Sequence, residues 1–317
     1  ARIPMFIDGG SPSSMSKSVG FRLIKLIDEL VRINPDIIFI RGDRFEMMSV
    51  ALAASYLNIP IAHEEAGDVS GTIDESIRHA ITKLAHIHFT ATETSRKRVI
   101  QMGENPDYIF TVGSPAIDNI KILKPINTTE YFKSFNINEP FILILFHPVT
   151  TEGIEENIKI ARNIIKLVEV LNMPTVFLGS NIDARSKEVG LEIKKMLAKN
   201  LPSVYFVKNL PPNEFYYLLA KTMCAIGNSS SFIREGAFFG TPAVLVGSRQ
   251  CNRERGQNVV EVGVEYDEIL SAVKNQIQHG PYEKDHLFGE GEAGKKIADI
   301  LAKVNPIIQK KFFDINI

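Results

Sequence analysis

The sequence predicts an α/β protein made of two parallel-sheet domains. Two observations carry that expectation. Short apolar runs alternate with amphipathic helical stretches along most of the chain. The rhythm breaks once, between Lys121 and Pro140, where periodicity gives way to prolines, asparagines and threonines, and then restarts. A third observation concerns function: charged residues gather where the apolar runs end, the edge at which open α/β sheets bind their ligands.

The elements follow in order. Ile3–Ile7 is apolar and runs into a Gly-Gly-Ser-Pro turn. A doubly wound domain opens on a strand and a glycine-bearing phosphate loop. No such unit stands here, so the first domain is expected to lack its first βα unit and the sequence to be part of a longer protein. Ser11–Ser18 reads as a polar loop, and Val19–Ile33 as an amphipathic helix through Phe21, Ile24, Leu26, Ile27, Leu30 and Val31. Ile37–Ile40 is a continuous apolar run, the mark of a buried parallel strand. Phe45–Leu57 has helical spacing, and Ile59–Ala62 reads as the next strand. Asp68–Arg78 is a small-residue loop entering a helix that continues to Ala85. His86–Ala91 reads as a strand, Thr94–Met102 as a helix capped by Thr92 or Thr94, Tyr108–Val112 as a strand, and a helix starts at Ala116.

Beyond the break, strands are expected at Phe141–Phe146, Thr175–Leu178, Val204–Val207, Met223–Ile226 and Ala243–Val246. Helices are expected at Asn157–Leu171, Ser186–Lys199, Pro212–Ala220 and Phe232–Phe239. The boundaries are a first domain over 1–124, a linker over 125–140, a second domain over 141–290, and a closing helical segment over 291–317.

Composition narrows the function. The 317 residues are enough for two domains with well-buried cores. A formal charge of −1 gives no bulk attraction to nucleic acid or membrane. Two cysteines, Cys224 and Cys251, are too few for a disulfide framework. Neither a transmembrane span nor a signal peptide is read, so the expected location is cytoplasmic.

Candidate site residues fall at the strand ends. Arg41-Gly42-Asp43-Arg44 follows the first buried strand; Asp43 is also readable as a plain helix cap, although two cations and a carboxylate exceed what a cap needs. Glu64-Glu65 follows the next strand, and alternation sets Glu65 on the opposite face from Glu64. Asp74 and Arg78 lie on the first turns of the following helix, where Asp74 also suits the helix dipole. His63, His79, His86 and His88 raise the question of a metal, but nothing completes a ligand set, and none is expected. In the second half His147 follows a buried strand, at an edge where it would face the cleft between domains. Gly227–Ser231 joins a strand to a helix, a place for phosphate, with Glu235 and Arg249 nearby; a serine-rich cap beside a solvated basic loop is the plainer alternative.

The segments HEEAGDVSGTIDESIRHAITKLAHIHF, RGDRFE, FHPVTTE, SNIDARSKE and GNSSSFIREGAFFGTPAVLVGSRQ resemble the hydrolysing UDP-N-acetylglucosamine 2-epimerases of the sialic-acid-pathway type, found also as the epimerase half of the human bifunctional epimerase/kinase. The likeness runs from about Asp8 to near Leu301, and no kinase segment follows Ile317. The family's opening strand and Gly-Thr-Arg-type loop, roughly 70 residues of an intact first domain, have no counterpart.

What the resemblance implies is the GT-B architecture, two Rossmann-like parallel-sheet domains facing across a cleft, with the last helix returning to the first domain. It implies UDP-GlcNAc and UDP as ligands, no cofactor, no metal, and a homodimer or tetramer. It places acid/base or intermediate-stabilising roles on Asp43, Glu65 and Asp74, and cleft roles on Arg44 and His147. Nucleotide contacts go to Asn181, Ser229, Ser230, Glu235 and Arg249, and Arg78 joins the binding set. Non-hydrolysing relatives carry Pro-Glu-Glu where this chain has Thr-Ile-Asp-Glu at 72–75, which favours the hydrolysing branch; the reaction the resemblance implies is conversion of UDP-GlcNAc to ManNAc and UDP. The alternatives are a GDP-linked 2,4-diacetamido-sugar epimerase of the legionaminic acid pathway, a non-hydrolysing epimerase, and a non-catalytic nucleotide-sugar-binding protein.

Overall fold

The computed structural model describes residues 12–122, 140–149, 151–179, 190–192, 195, 204–305 and 307–315. The chain separates into two compact units, Ala1–Asp118 with Phe288–Ile317, and Asn119–Leu287.

The first unit holds a four-stranded parallel sheet in the order β1-β2-β3-β4: β1 Ile38–Arg41, β2 Ile61–Glu64, β3 Ile87–Thr90 and β4 Ile109–Thr111. On one face Leu26 and Leu30 of the helix Pro12–Ile33 pack with Ala51, Ala54, Ile40 and Ile61. On another, Ile297 of the helix Ala293–Leu301 meets Ala62, Ile87, Phe89 and Val112. The second unit holds six parallel strands in the order β10-β9-β8-β5-β6-β7. These are β5 Ile142–Leu145, β6 Thr175–Leu178, β7 Val204–Val207, β8 Cys224–Gly227, β9 Ala243–Val246 and β10 Val259–Val262. The helix Ile154–Leu171 buries Ile160, Ile164, Leu167 and Val168 against this sheet, at the i, i+4, i+7, i+8 spacing of an amphipathic helix. Among the described residues no helix is long and apolar enough to cross a membrane.

The structure corrects several expectations. The helix begins at Pro12, so Pro12–Ser18 is helical rather than loop. Proline suits a first turn, whose N–H groups lack helical partners. Ser14 and Ser18 are buried, and the Ser18 hydroxyl donates to the Ser14 carbonyl at 2.7 Å. The second strand lies two residues later than its apolar run, at Ile61–Glu64, because its ladder pairs Ile40 with His63 and Arg41 with Glu64. The second sheet also has an edge strand, β10, and a helix, Tyr266–His279, beyond the predicted series. The apolar stretch Ile3–Ile7, nearly all of the linker, and most of the expected helix Ser186–Lys199 lie outside the described residues.

Glu104 is a polar anchor of the first unit. Its carboxylate accepts from Lys83 at 2.5 Å, Lys310 at 2.7 Å and His88 at 3.1 Å. Burial alone would raise its pKa, but the three donors outweigh burial and hold it down from 4.5 to about 2. A depressed carboxylate stabilises above its unfolded value, and that contribution is lost as pH falls through the folded one. Glu104→Gln is therefore expected to lower stability at pH 7, with the gap from wild type closing between pH 4.5 and 2. Denaturant unfolding at several pH values checks this; a gap that stays constant contradicts it.

Candidate active site

In the first unit the loop after β1 carries Asp43, and the helix Ile73–Leu84 carries Arg78. Arg78 is 1% exposed, and its guanidinium pairs with the Asp43 carboxylate while donating to the Asp68 carbonyl at 2.9 Å. A buried guanidinium needs such partners, since an unpaired one would carry the whole desolvation cost. The structure thus joins Asp43 to Arg78, residues 35 apart in sequence.

Glu65 comes directly after β2 with φ of 65°. The left-handed region is costly for a residue with a β-carbon, by about 1–2 kcal/mol, and such strain concentrates at functional sites. This turn, not simple strand alternation, separates Glu65 from Glu64. Glu64 pairs with Arg41 at 3.0 Å, whereas a β-carbon placed on Gly42 would sit 3.4 Å from Glu65 Oε2. The Glu65 carboxylate therefore lies beside the Asp43 loop, at the ends of adjacent strands. Asp74 is half-buried on the first helical turn, where its N–H donates to the Thr72 cap at 3.3 Å and its carboxylate accepts from the Thr72 hydroxyl at 3.2 Å. Arg44 turns toward Glu46, 3.4 Å away, and the ring of Phe45.

The loop is fixed from behind. Gly67 lies against the helix Glu93–Gln101, and Arg98 donates to its carbonyl. The Asp68 carboxylate accepts from the Ser95 hydroxyl at 2.8 Å. His63 is fully buried: Nε2 is 3.0 Å from the Gly42 carbonyl and Nδ1 is 3.1 Å from the Thr82 hydroxyl. Burial pushes its pKa down to about 4, so it is a neutral ring at physiological pH. His88 is likewise committed to Glu104. Among the described residues no cluster suits a metal ion.

In the second unit His147 lies two residues after the end of β5, almost fully buried. The side chain of Asn228 clamps it: Oδ1 accepts from the His147 N–H at 2.8 Å and Nδ2 donates to its carbonyl at 2.8 Å. The Asn228 carbonyl in turn accepts from Arg249 at 3.0 Å. The serines form a 3₁₀ turn, Ser230–Phe232, ahead of the short helix Arg234–Phe239, and Ser229 caps it by accepting from the Ser231 N–H at 3.3 Å. His147, Ser229, Ser230, Ser231 and Arg249 line a cavity of about 310 Å³ that also reaches Lys208 and Phe215. Glu235 is buried in the short helix and does not line the cavity. Asn181 lies outside the described residues.

The sequence pattern sets Asn228 within the Gly227–Ser231 segment and His63 among the histidines, but it marks neither of them, nor Asp68, for the contacts they make. Each acts on backbone or on a neighbouring side chain, and spacing carries no signal for that; only their places beside Ser229, Glu64 and Gly67 hinted at them.

The family model for UDP-N-acetylglucosamine 2-epimerase matches residues 1–302. The chain belongs to the UDP-N-acetylglucosamine 2-epimerase family. It is 36% identical over 306 residues to the UDP-N,N'-diacetylbacillosamine 2-epimerase (hydrolyzing) of Legionella pneumophila, covering 95% of this chain and 80% of that one. It is 31% identical over 303 residues to the UDP-N-acetylglucosamine 2-epimerase of Neisseria meningitidis serogroup B, covering 92% and 78%. A crystal structure of Methanocaldococcus jannaschii UDP-GlcNAc 2-epimerase in complex with UDP-GlcNAc and UDP superposes with a TM-score of 0.79 at 21% identity, over 91% of this chain and 81% of that one. That likeness gives this 2-epimerase family member the GT-B fold expected from its motifs.

Proposed function

We propose that this chain is a hydrolysing 2-epimerase of a UDP-linked 2-acetamido sugar, with UDP-GlcNAc as substrate and ManNAc and UDP as products. The observation that carries the reading is Glu65, held in a strained backbone with its carboxylate beside the Asp43 loop. Two carboxylates at adjacent strand ends suit a reaction that removes a proton from one face of C2 and returns one to the other.

The C1–O bond of the sugar breaks, its electron pair leaves with UDP, and the C2 proton goes to a carboxylate. The product is 2-acetamidoglucal. Water then adds its hydroxyl to C1, and a proton reaches the opposite face of C2. Asp43 is engaged by Arg78, and the C2 proton is assigned to Glu65, whose carboxylate lies beside the Asp43 loop. Asp43 and Asp74 steady the positive charge that develops on the ring as C1–O cleavage runs ahead. In the second unit the serine turn and Arg249 take the diphosphate, and His147 serves the departing oxygen; that polar cavity supports the assignment.

A second reading has a specific observation behind it. The relative at 36% identity is named for a diacetylbacillosamine substrate, so a UDP-linked 2,4-diacetamido sugar is the other substrate to offer. Incubation with each sugar, followed by chromatography of the nucleotides, tests both. Release of free UDP from UDP-GlcNAc is expected; release only from the diacetamido sugar moves the assignment to it, and a product still bound to UDP overturns hydrolysis.

A further inference from the structure

His63 belongs to a closed ring of polar contacts. Gly42 immediately precedes Asp43, and its carbonyl faces His63 Nε2 at 3.0 Å. On the far side of the imidazole, Nδ1 faces the Thr82 hydroxyl at 3.1 Å, and that hydroxyl lies 2.9 Å from the Arg78 carbonyl. Arg78 closes the ring on Asp43. A carbonyl only accepts, so Nε2 carries the proton and Nδ1 offers a lone pair. The hydroxyl proton of Thr82 is then shared between Nδ1 and the Arg78 carbonyl.

The position calls for an apolar residue. His63 sits in the middle of the sheet, with register partners Ile40 on β1 and His88 on β3, and shows no exposed surface. A neutral buried imidazole with both nitrogens satisfied adds little net stability over a well-packed aliphatic side chain. What a satisfied buried network does supply is one defined arrangement of its members. Here it ties the loop bearing Asp43 to the helix bearing Arg78 from the inside, while the ion pair ties them at the sheet edge.

We propose that His63 is a positioning residue, which through Gly42 and Thr82 sets the Asp43–Arg78 pair for the reaction. The inference rests on the functional reading above, since the reaction defines what the pair is positioned for. A misplacement of about 1 Å at a reacting group lowers rates on the order of 100-fold.

Three variants separate this role from packing. His63→Leu removes both contacts, His63→Gln keeps an N–H for the Gly42 carbonyl, and Thr82→Val removes the hydroxyl on an otherwise intact helix. With the nucleotide sugar that wild type turns over, His63→Leu is expected to lower kcat about 100-fold, and Thr82→Val about 10-fold. KM and UDP affinity by calorimetry should stay within about threefold. His63→Gln should recover to within about 10-fold of wild type, and Thr82→Val should add less than about twofold on top of His63→Leu, since both cut one ring. If His63→Leu does not fold, the other two carry the test.

The Arg78 side-chain N–H signals in NMR give a readout independent of turnover. Slow hydrogen exchange is expected in wild type and faster exchange in Thr82→Val. Unchanged exchange, kcat within twofold of wild type in both milder variants, or losses in KM equal to those in kcat would overturn the proposal. If wild type turns over neither nucleotide sugar, the functional reading fails instead, and the exchange measurement still decides whether the ring holds Arg78.

Discussion

Glu65→Gln is expected to lower kcat about 100-fold or more while leaving UDP affinity within a few-fold of wild type. The substitution keeps the size of the side chain and the strained backbone at φ of 65°, so it removes only the charge and the proton-accepting oxygen. Asp43→Asn and Asp74→Asn are expected to fall about as far, for a related reason. Loss of the Asp43 charge also leaves buried Arg78 short of its counter-ion, so that variant should lose stability as well. Steady-state kinetics with calorimetry and thermal unfolding separates the two effects. Near-normal kcat in Glu65→Gln would remove Glu65 from the proton transfer.

Gly67→Ala is expected to be severely damaging to the loop that carries Glu65 and Asp68. Gly67 has φ of 75°, and an added β-carbon would lie 2.3 Å from the Ser95 carbonyl oxygen and 2.7 Å from Val99 Cγ2. Neither neighbour yields cheaply: one is helix backbone and the other is fully buried. The loop from Glu65 to Asp68 must then move, taking with it the Asp68 carbonyl that accepts from Arg78. A loss of about 3 kcal/mol or more in unfolding free energy is expected, together with loss of turnover. Denaturant unfolding checks the first part. Wild-type stability in Gly67→Ala would mean that the loop does not rest on the Glu93–Gln101 helix as described.

Much of this architecture was legible in the sequence, and the failures have physical causes. Strands such as β5 and β9 are continuous apolar runs buried on both faces, and their composition alone announces them. β2 extends two residues past its apolar run, and composition hides that end because His63 and Glu64 are polar. They are tolerated inside a buried strand because the Gly42 carbonyl, Thr82 and Arg41 wait for them, and those partners come from distant parts of the chain. The Pro12–Ser18 turns looked like loop because serine favours caps and turns. Helix pairing overrode that preference once Ser14 and Ser18 were buried. At the site, the carboxylates stood out because charge at the end of an apolar run is conspicuous. Asn228 did not, since its clamp on His147 joins residues 81 apart and works through the backbone. The helix Tyr266–His279 carries buried Ile269, Ala272, Val273 and Gln276 at helical spacing. That spacing is readable in the sequence as an amphipathic helix, behind a strand that ends at Val262.

The most direct test of the functional account is NMR of the products formed from UDP-GlcNAc in D₂O. Elimination followed by hydration exchanges the C2 hydrogen with solvent and frees the sugar from its nucleotide. The account expects free ManNAc carrying deuterium at C2, with UDP in equal amount. ManNAc that retains protium at C2, or a mannose-configured sugar still attached to UDP, would contradict it.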